Sequence, residues 1–128
     1  MNVKVVNVSF AERFEDLRIW QEARAQVITI YQCIERQSSG YSDFAFRDQL
    51  QRASISVMNN IAEGFERKTL KDFAHFLDLA KGSCGEVRSM LYVAEDLSYL
   101  SAERAMALRD QAEKLSRGIA AFTNHLRS

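Results

Sequence analysis

The chain has 128 residues, the size of one domain with a core of modest extent. Hydrophobic residues make up 47% and charged residues 27%, an ordinary balance for a soluble globular protein, and seventeen basic residues meet seventeen acidic ones, which is not the charge of a dedicated nucleic-acid binder. No stretch approaches the roughly 18 apolar residues of a membrane span. Lys4 alone precedes a broken valine run, so the start does not read as a secretory signal and the expected location is cytoplasmic.

The absence of proline and the presence of only five glycines favour long helices with short connections. Residues 1–13 come first. Val3, Val5, Val6, Val8 and Phe10 give a partial strand alternation, and no second strand is evident to pair with it. The segment is therefore expected to be a flexible extension ahead of a bundle over 14–128, with an arm that pairs with another subunit as the alternative.

The spacing predicts a first helix from about Glu15 to Gln37, with Trp20, Ala23, Val27, Ile30, Tyr31 and Ile34 on one face and Ser38-Ser39-Gly40 as its stop. Asp43 is a good N-cap for a second helix running to about Arg67. There Leu50, Val57, Ile61 and Phe65 share a face, and Ala53, Ser54, Ala62 and Gly64 are small enough to let another helix come close. Asn59 and Asn60 interrupt this pattern at a cost in helix propensity, which calls either for a satisfied polar contact or for a recognition site.

Thr69 to Asp72 reads as a capping box with Asp in the place of Glu. It starts a third helix so soon that the second and third must be antiparallel neighbours. Phe73, Leu77, Ala80, Cys84, Val87, Leu91 and Ala94 form a heptad seam on that helix. Ser101 caps a fourth, with Leu108, Leu115 and Phe122 in one row and Ala105, Ala112, Ile119 and Leu126 in the other. The fold class is all-α, an up-down-up-down antiparallel four-helix bundle. The turn signals at 38–42, 67–69 and 98–101 argue against one long coiled coil.

Catalytic patterns are weak. A di-iron bundle needs Glu-x-x-His on two helices. Asp72-Phe73-Ala74-His75 is half of such a motif, and His125 has Phe122 three residues before it. Cys33 and Cys84 lie inside apolar helical patterns and read as small reduced core residues. No phosphate loop occurs. Around Arg67, Lys68 and Lys71 three positive charges meet Glu63, Glu66 and Asp72, and the pairs Asp48/Arg52, Glu63/Arg67, Asp110/Lys114 and Glu113/Arg117 describe solvated helix faces. Gly82-Ser83-Cys84-Gly85 with Ala80 makes a narrow strip, although two interior glycines cost roughly 1 kcal/mol each against alanine. Its expected partner is the small-residue strip of the second helix or the same region of another subunit.

Several segments together carry a family resemblance. They are Phe14-Glu15-Asp16-Leu17 with Trp20 and Ala23, then Gln49 with Arg52-Ala53. Ser56 followed by Asn60-Ile61-Ala62-Glu63-Gly64-Phe65 is the strongest, and Arg67, Ala80-Lys81-Gly82-Ser83 with Glu86, and Leu97-Ser98-Tyr99-Leu100 come after it. Over residues 14–100 the chain resembles the bacterial four-helix bundle proteins named for the intervening sequences of 23S ribosomal RNA genes. Met58 stands where that family usually has proline, which predicts an unkinked second helix here. The resemblance implies a ring-shaped homopentamer with no established enzymatic activity and no cofactor. A related bundle, the accessory protein of diversity-generating retroelements, works with a reverse transcriptase and RNA. That implies RNA or an RNA-associated protein as a partner, with no membrane.

The reading that follows is a non-enzymatic oligomeric scaffold that binds a macromolecular partner. The alternative is a small-molecule or metal-dependent enzyme with its site in the bundle or the ring pore. Arg52, Asn60, Glu63, Arg67, Lys81, Ser83 and Glu86 are the polar residues singled out. Arg52, Asn60, Glu63, Ser83 and Glu86 are expected to form a largely structural hydrogen-bonded network between the second and third helices or across a subunit boundary, with a ligand or RNA surface as the rival.

Overall fold

The computed structural model of the protein describes the backbone of residues 4–6 and 9–128, and the side chains from residue 11 onward. Two short strands, β1 (Lys4–Val6) and β2 (Ser9–Ala11), precede four helices: α1 (Arg18–Cys33), α2 (Phe44–Phe65), α3 (Leu70–Asp96) and α4 (Ala102–Arg127). The valine-rich start thus corrects the expectation of a strand without a partner. Its two halves pair antiparallel with each other, Lys4 opposite Ala11 and Val6 opposite Ser9, so the ladder closes within the chain. The expected flexibility of the extension falls in part on residues 1–3, 7 and 8, outside the described residues. Ala11 and Leu17 are buried and seat the end of this segment on the bundle.

Three of the four helices, α2, α3 and α4, start at a side-chain cap, and α1 starts at Leu17 without one. Asp43 accepts from the Phe46 amide at 3.2 Å, Thr69 from that of Asp72 at 3.1 Å and Ser101 from that of Arg104 at 3.1 Å. α1 is shorter than its periodicity predicts. A single 3-10 turn, Phe14–Asp16, breaks off at Leu17, whose extended backbone restarts the chain as α1, and the helix ends at the extended Ile34. α2 runs without a break through Met58.

The third-helix seam is buried throughout: all seven of its residues are 0% exposed. It packs on α2 through Leu50, Val57 and Ile61 and on α4 through Leu108, Ala112, Leu115 and Ile119, all buried. A fully buried Leu or Ile stabilises by about 1.5–3 kcal/mol relative to exposure, so this double-sided seam is the main source of cohesion. Phe73 anchors one end, edge-on to Phe65 at 5.8 Å and to Phe122 at 5.4 Å. α1 rests on α2 and, less extensively, on α4. Tyr31, expected on its apolar face, is 46% exposed, because one step beyond buried Ile30 turns a side chain by about 100° away from the core. Among the described residues no helix is long and apolar enough to cross a membrane.

Candidate functional site

The seam between α2 and α3 carries two separate polar clasps. In the first, the Asn60 amide nitrogen donates back to the Ser56 carbonyl at 2.9 Å and to its hydroxyl at 3.0 Å. The Ser56 and Ser83 hydroxyls meet across the helices at 2.8 Å. All three side chains are half-buried. The Ser56 oxygen accepts from Asn60, and either hydroxyl can donate in the Ser56–Ser83 bond. In the second clasp, nearer the start of α2, Gln49 donates to the Glu86 carboxylate.

Of the polar residues singled out from sequence, Ser83 and Glu86 therefore make contacts that join the two helices, and Asn60 supports the first of them from its own helix through Ser56. Arg52 instead pairs with Asp48 on its own helix at 2.8 Å, and Glu63 with Arg67 at 4.0 Å. The Arg67 guanidinium also lies over the Phe76 ring, 5.0 Å from its centroid. Arg52, Glu63, Arg67 and Lys81 are exposed. Lys81, two residues and about 200° of helix turn from Ser83, lies off this seam, near Cys84 on the side of α3 that meets α4.

Glycines divide into two kinds along this seam. At Gly64 a Cβ would stand 2.8 Å from that of Phe76 and 3.2 Å from the Phe73 carbonyl, so the close approach of α3 requires glycine there. At Gly82 and Gly85 a Cβ would meet nothing within 4 Å. The two glycines therefore do not pack on the small residues of α2, which corrects the first of their two expected partners, while Ser83 between them meets Ser56 and Ala80 and Cys84 are buried in the core. Ala80 and Cys84 face inward, and the glycines face out.

Both cysteines are free and buried. Burial pushes the Cys33 thiol up to about 11 and the Cys84 thiol up to about 11, each against weaker pulls from nearby cations. Cys84 donates to the Ala112 carbonyl at 3.1 Å. Thiols so protonated are poor nucleophiles. His75 and His125 are exposed, and among the described residues no three His, Cys, Asp or Glu side chains gather in a metal-binding group.

A family model for 23S rRNA-intervening sequence protein matches residues 15–121. The chain belongs to that family. It is also similar to the crystal structure of a protein of unknown function from the S23 ribosomal protein family of Bacteroides thetaiotaomicron, at 15% identity, with 82% of this chain and 97% of that chain covered and a TM-score of 0.74. At that identity the likeness speaks for the fold. No curated protein matches the chain.

In this family member the segment Leu97-Ser98-Tyr99-Leu100 has a structural task that the sequence did not disclose. Ser98 takes a left-handed φ of 59°, which turns the chain between α3 and α4. The Tyr99 hydroxyl then donates to Asp43 at 2.6 Å, the Ser38 hydroxyl donates to the Tyr99 carbonyl at 3.3 Å, and the Tyr99 ring occupies the space where a Cβ on Gly40 would stand. Tyr99 also packs edge-on to Phe46 at 5.4 Å. This latch joins the α1–α2 connection to the α3–α4 turn. The Tyr99 hydroxyl and the Phe46 amide hold the Asp43 carboxyl below its usual range, and the same bond raises the phenol. Only the pairing of residues 56 apart reveals it, which no local pattern encodes.

Proposed function

We propose that the protein is a non-enzymatic, self-associating helical scaffold that offers a surface to a macromolecular partner, an RNA or an RNA-associated protein. The observation that carries this reading is the outer face of α3. Gly82 and Gly85 stand in the middle of a 27-residue helix with open space before them. Leu79, Val93 and Leu97, on the same side of the helix, are 45%, 43% and 50% exposed. Two interior glycines give up roughly 2 kcal/mol of helix propensity together, and nothing within the protomer compensates for it. A backbone supplied by another copy of the chain would, since glycine permits the closest approach of two helices.

The family name, with its reference to 23S rRNA, supports RNA or an RNA-associated protein as the partner. The even charge balance favours a few placed contacts over general attraction to phosphates. Arg52 and Arg67, exposed beside the α2–α3 seam, are the cations best placed to make them.

Light scattering at micromolar concentration tests self-association first. An oligomer, with a pentamer as the expected size, supports the reading, and a monomer of 14.6 kDa overturns it. A mobility shift with structured RNA, weakening as salt rises, tests the partner. An assembled protein that shifts no RNA at any salt concentration removes RNA and leaves the protein partner. Glu63→Ala separates the roles of the exposed residues beside the seam: a variant that assembles like the parent and loses the partner marks them as the recognition site.

A further inference from the structure

We propose that Gln26 and Gln111 form a reciprocal amide pair that locks α1 to α4 at a single register. Gln26 is 1% exposed in the apolar face of α1, and neither its amide nitrogen nor its amide oxygen has a hydrogen-bond partner. The amide oxygen of Gln111 on α4 is buried and unpartnered as well. Buried polar atoms are paired in the great majority of cases, so three such atoms require a common explanation.

The packing of α1 on α4 supplies it. Ile19 lies beside Gly118, with its Cγ2 3.5 Å from where a Cβ would stand. Fourteen residues further along α1, Cys33 shares a cleft with Arg104 and feels its charge. Seven residues make two turns of helix to within about 20°. Ile19, Gln26 and Cys33 therefore form one column on α1, and Gly118, Gln111 and Arg104 form the facing column on α4, running the other way. Gln26 and Gln111 stand opposite each other at the middle level.

A primary amide carries two N–H donors and an acceptor oxygen. Two of them side by side exchange two hydrogen bonds, Gln26 Nε2 to Gln111 Oε1 and Gln111 Nε2 to Gln26 Oε1. Rotation about the flexible side-chain torsions brings them together and satisfies all three orphaned atoms. A slip of α1 by one turn would set Gln26 against Leu108 or Leu115, both buried and unable to pair. The lock thus penalises every neighbouring register of the helix that the bundle holds least extensively, as a single polar position does in coiled coils.

The intact protein labelled with nitrogen-15 provides the test. Slow exchange of the Gln26 side-chain amide protons, with a nuclear Overhauser contact to those of Gln111, is the expected result. Absence of that contact in the parent protein overturns the proposal without any variant. Gln26→Met and Gln111→Met should each lower backbone amide protection along α1 roughly fivefold, the equivalent of one net hydrogen bond. The double variant should recover that protection while showing a second set of α1 resonances from a shifted register. Losses that simply add in the double variant, with one set of resonances, show that the two side chains act independently and sink the lock.

Discussion

Replacement of Gly64 by alanine tests the helix packing where it is tightest. The new methyl would stand 2.8 Å from the Phe76 Cβ, 3.0 Å from the Phe73 ring and 3.2 Å from the Phe73 carbonyl. Phe73 is 0% exposed and wedged between Phe65 and Phe122, so its ring has no room to retreat. Relief must come from a shift of α3 away from α2, at a typical overpacking cost of about 1–3 kcal/mol. Alanine recovers roughly 1 kcal/mol of helix propensity, so the net change runs from about zero to a loss of about 2 kcal/mol. Gly118→Ala is the internal control. Its methyl would meet only the Ile19 side chain at 3.5 Å, an ordinary contact, so the propensity gain of roughly 1 kcal/mol remains. For a chain of 128 residues the unfolding entropy is about 0.27 kcal/mol/K, and 1 kcal/mol moves Tm by about 4 °C. Thermal melts followed by helical circular dichroism should place Gly118→Ala about 4–11 °C above Gly64→Ala. A Gly64→Ala protein as stable as the Gly118→Ala protein would refute the claim that the α2–α3 approach demands glycine at this position.

Three further outcomes follow from the same structure. Leu91→Ala, at a residue 0% exposed in the middle of the third-helix seam, should lower stability by roughly 2–5 kcal/mol, and an unchanged melt would contradict the seam. Asp43 has a folded-state pKa below its unfolded value, so its contribution is present above the unfolded pKa of about 4 and is lost as pH falls through the lower folded value. Tyr99→Phe removes the leading cause of that depression, and the difference in Tm between parent and variant should therefore be larger at pH 7 than at pH 2.5; an equal difference at both refutes the latch. Both thiols, with pKa about 11, carry about one part in a thousand of thiolate at pH 8, so iodoacetamide should label neither cysteine until the protein is unfolded by denaturant.

The seam on α3, the apolar rows of α4 and the caps at Asp43, Thr69 and Ser101 could all be read along the chain, because each depends on residues within one or two turns of one another. The same local logic recovered three of the four predicted i,i+4 ion pairs, Asp48–Arg52, Glu63–Arg67 and Glu113–Arg117. It misread the valine-rich start, since one alternating run and two short halves that fold back on each other have the same period. It also misplaced Tyr31, because periodicity fixes the direction of a face and not its width.

The candidate site divided along the same line. That Ser83 and Glu86 would meet polar groups of α2 was apparent from the antiparallel pairing of the two helices, although they do so in two separate clasps and not in one network. Which partner each would take was not. Arg52 and Glu63 found charges four residues away on their own helices, a contact that needs no tertiary structure, while Ser56 and Gln49, the residues that bridge to α3, were among several polar side chains with equal local claim. Gly64 and Gly82 are alike as letters in a helix, and only the distance to the neighbouring backbone tells that one is compelled by a core and the other faces outward. The Tyr99–Asp43 latch and the level of Gln26 opposite Gln111 lie further still from local pattern. The sequence by itself determined four amphipathic helices, their caps and their order, because helix formation and burial of a stripe are short-range properties. Tertiary structure alone decided which polar groups meet, because that depends on the relative level of two helices, and a slide of a single turn exchanges every partner while leaving the apolar stripes still buried.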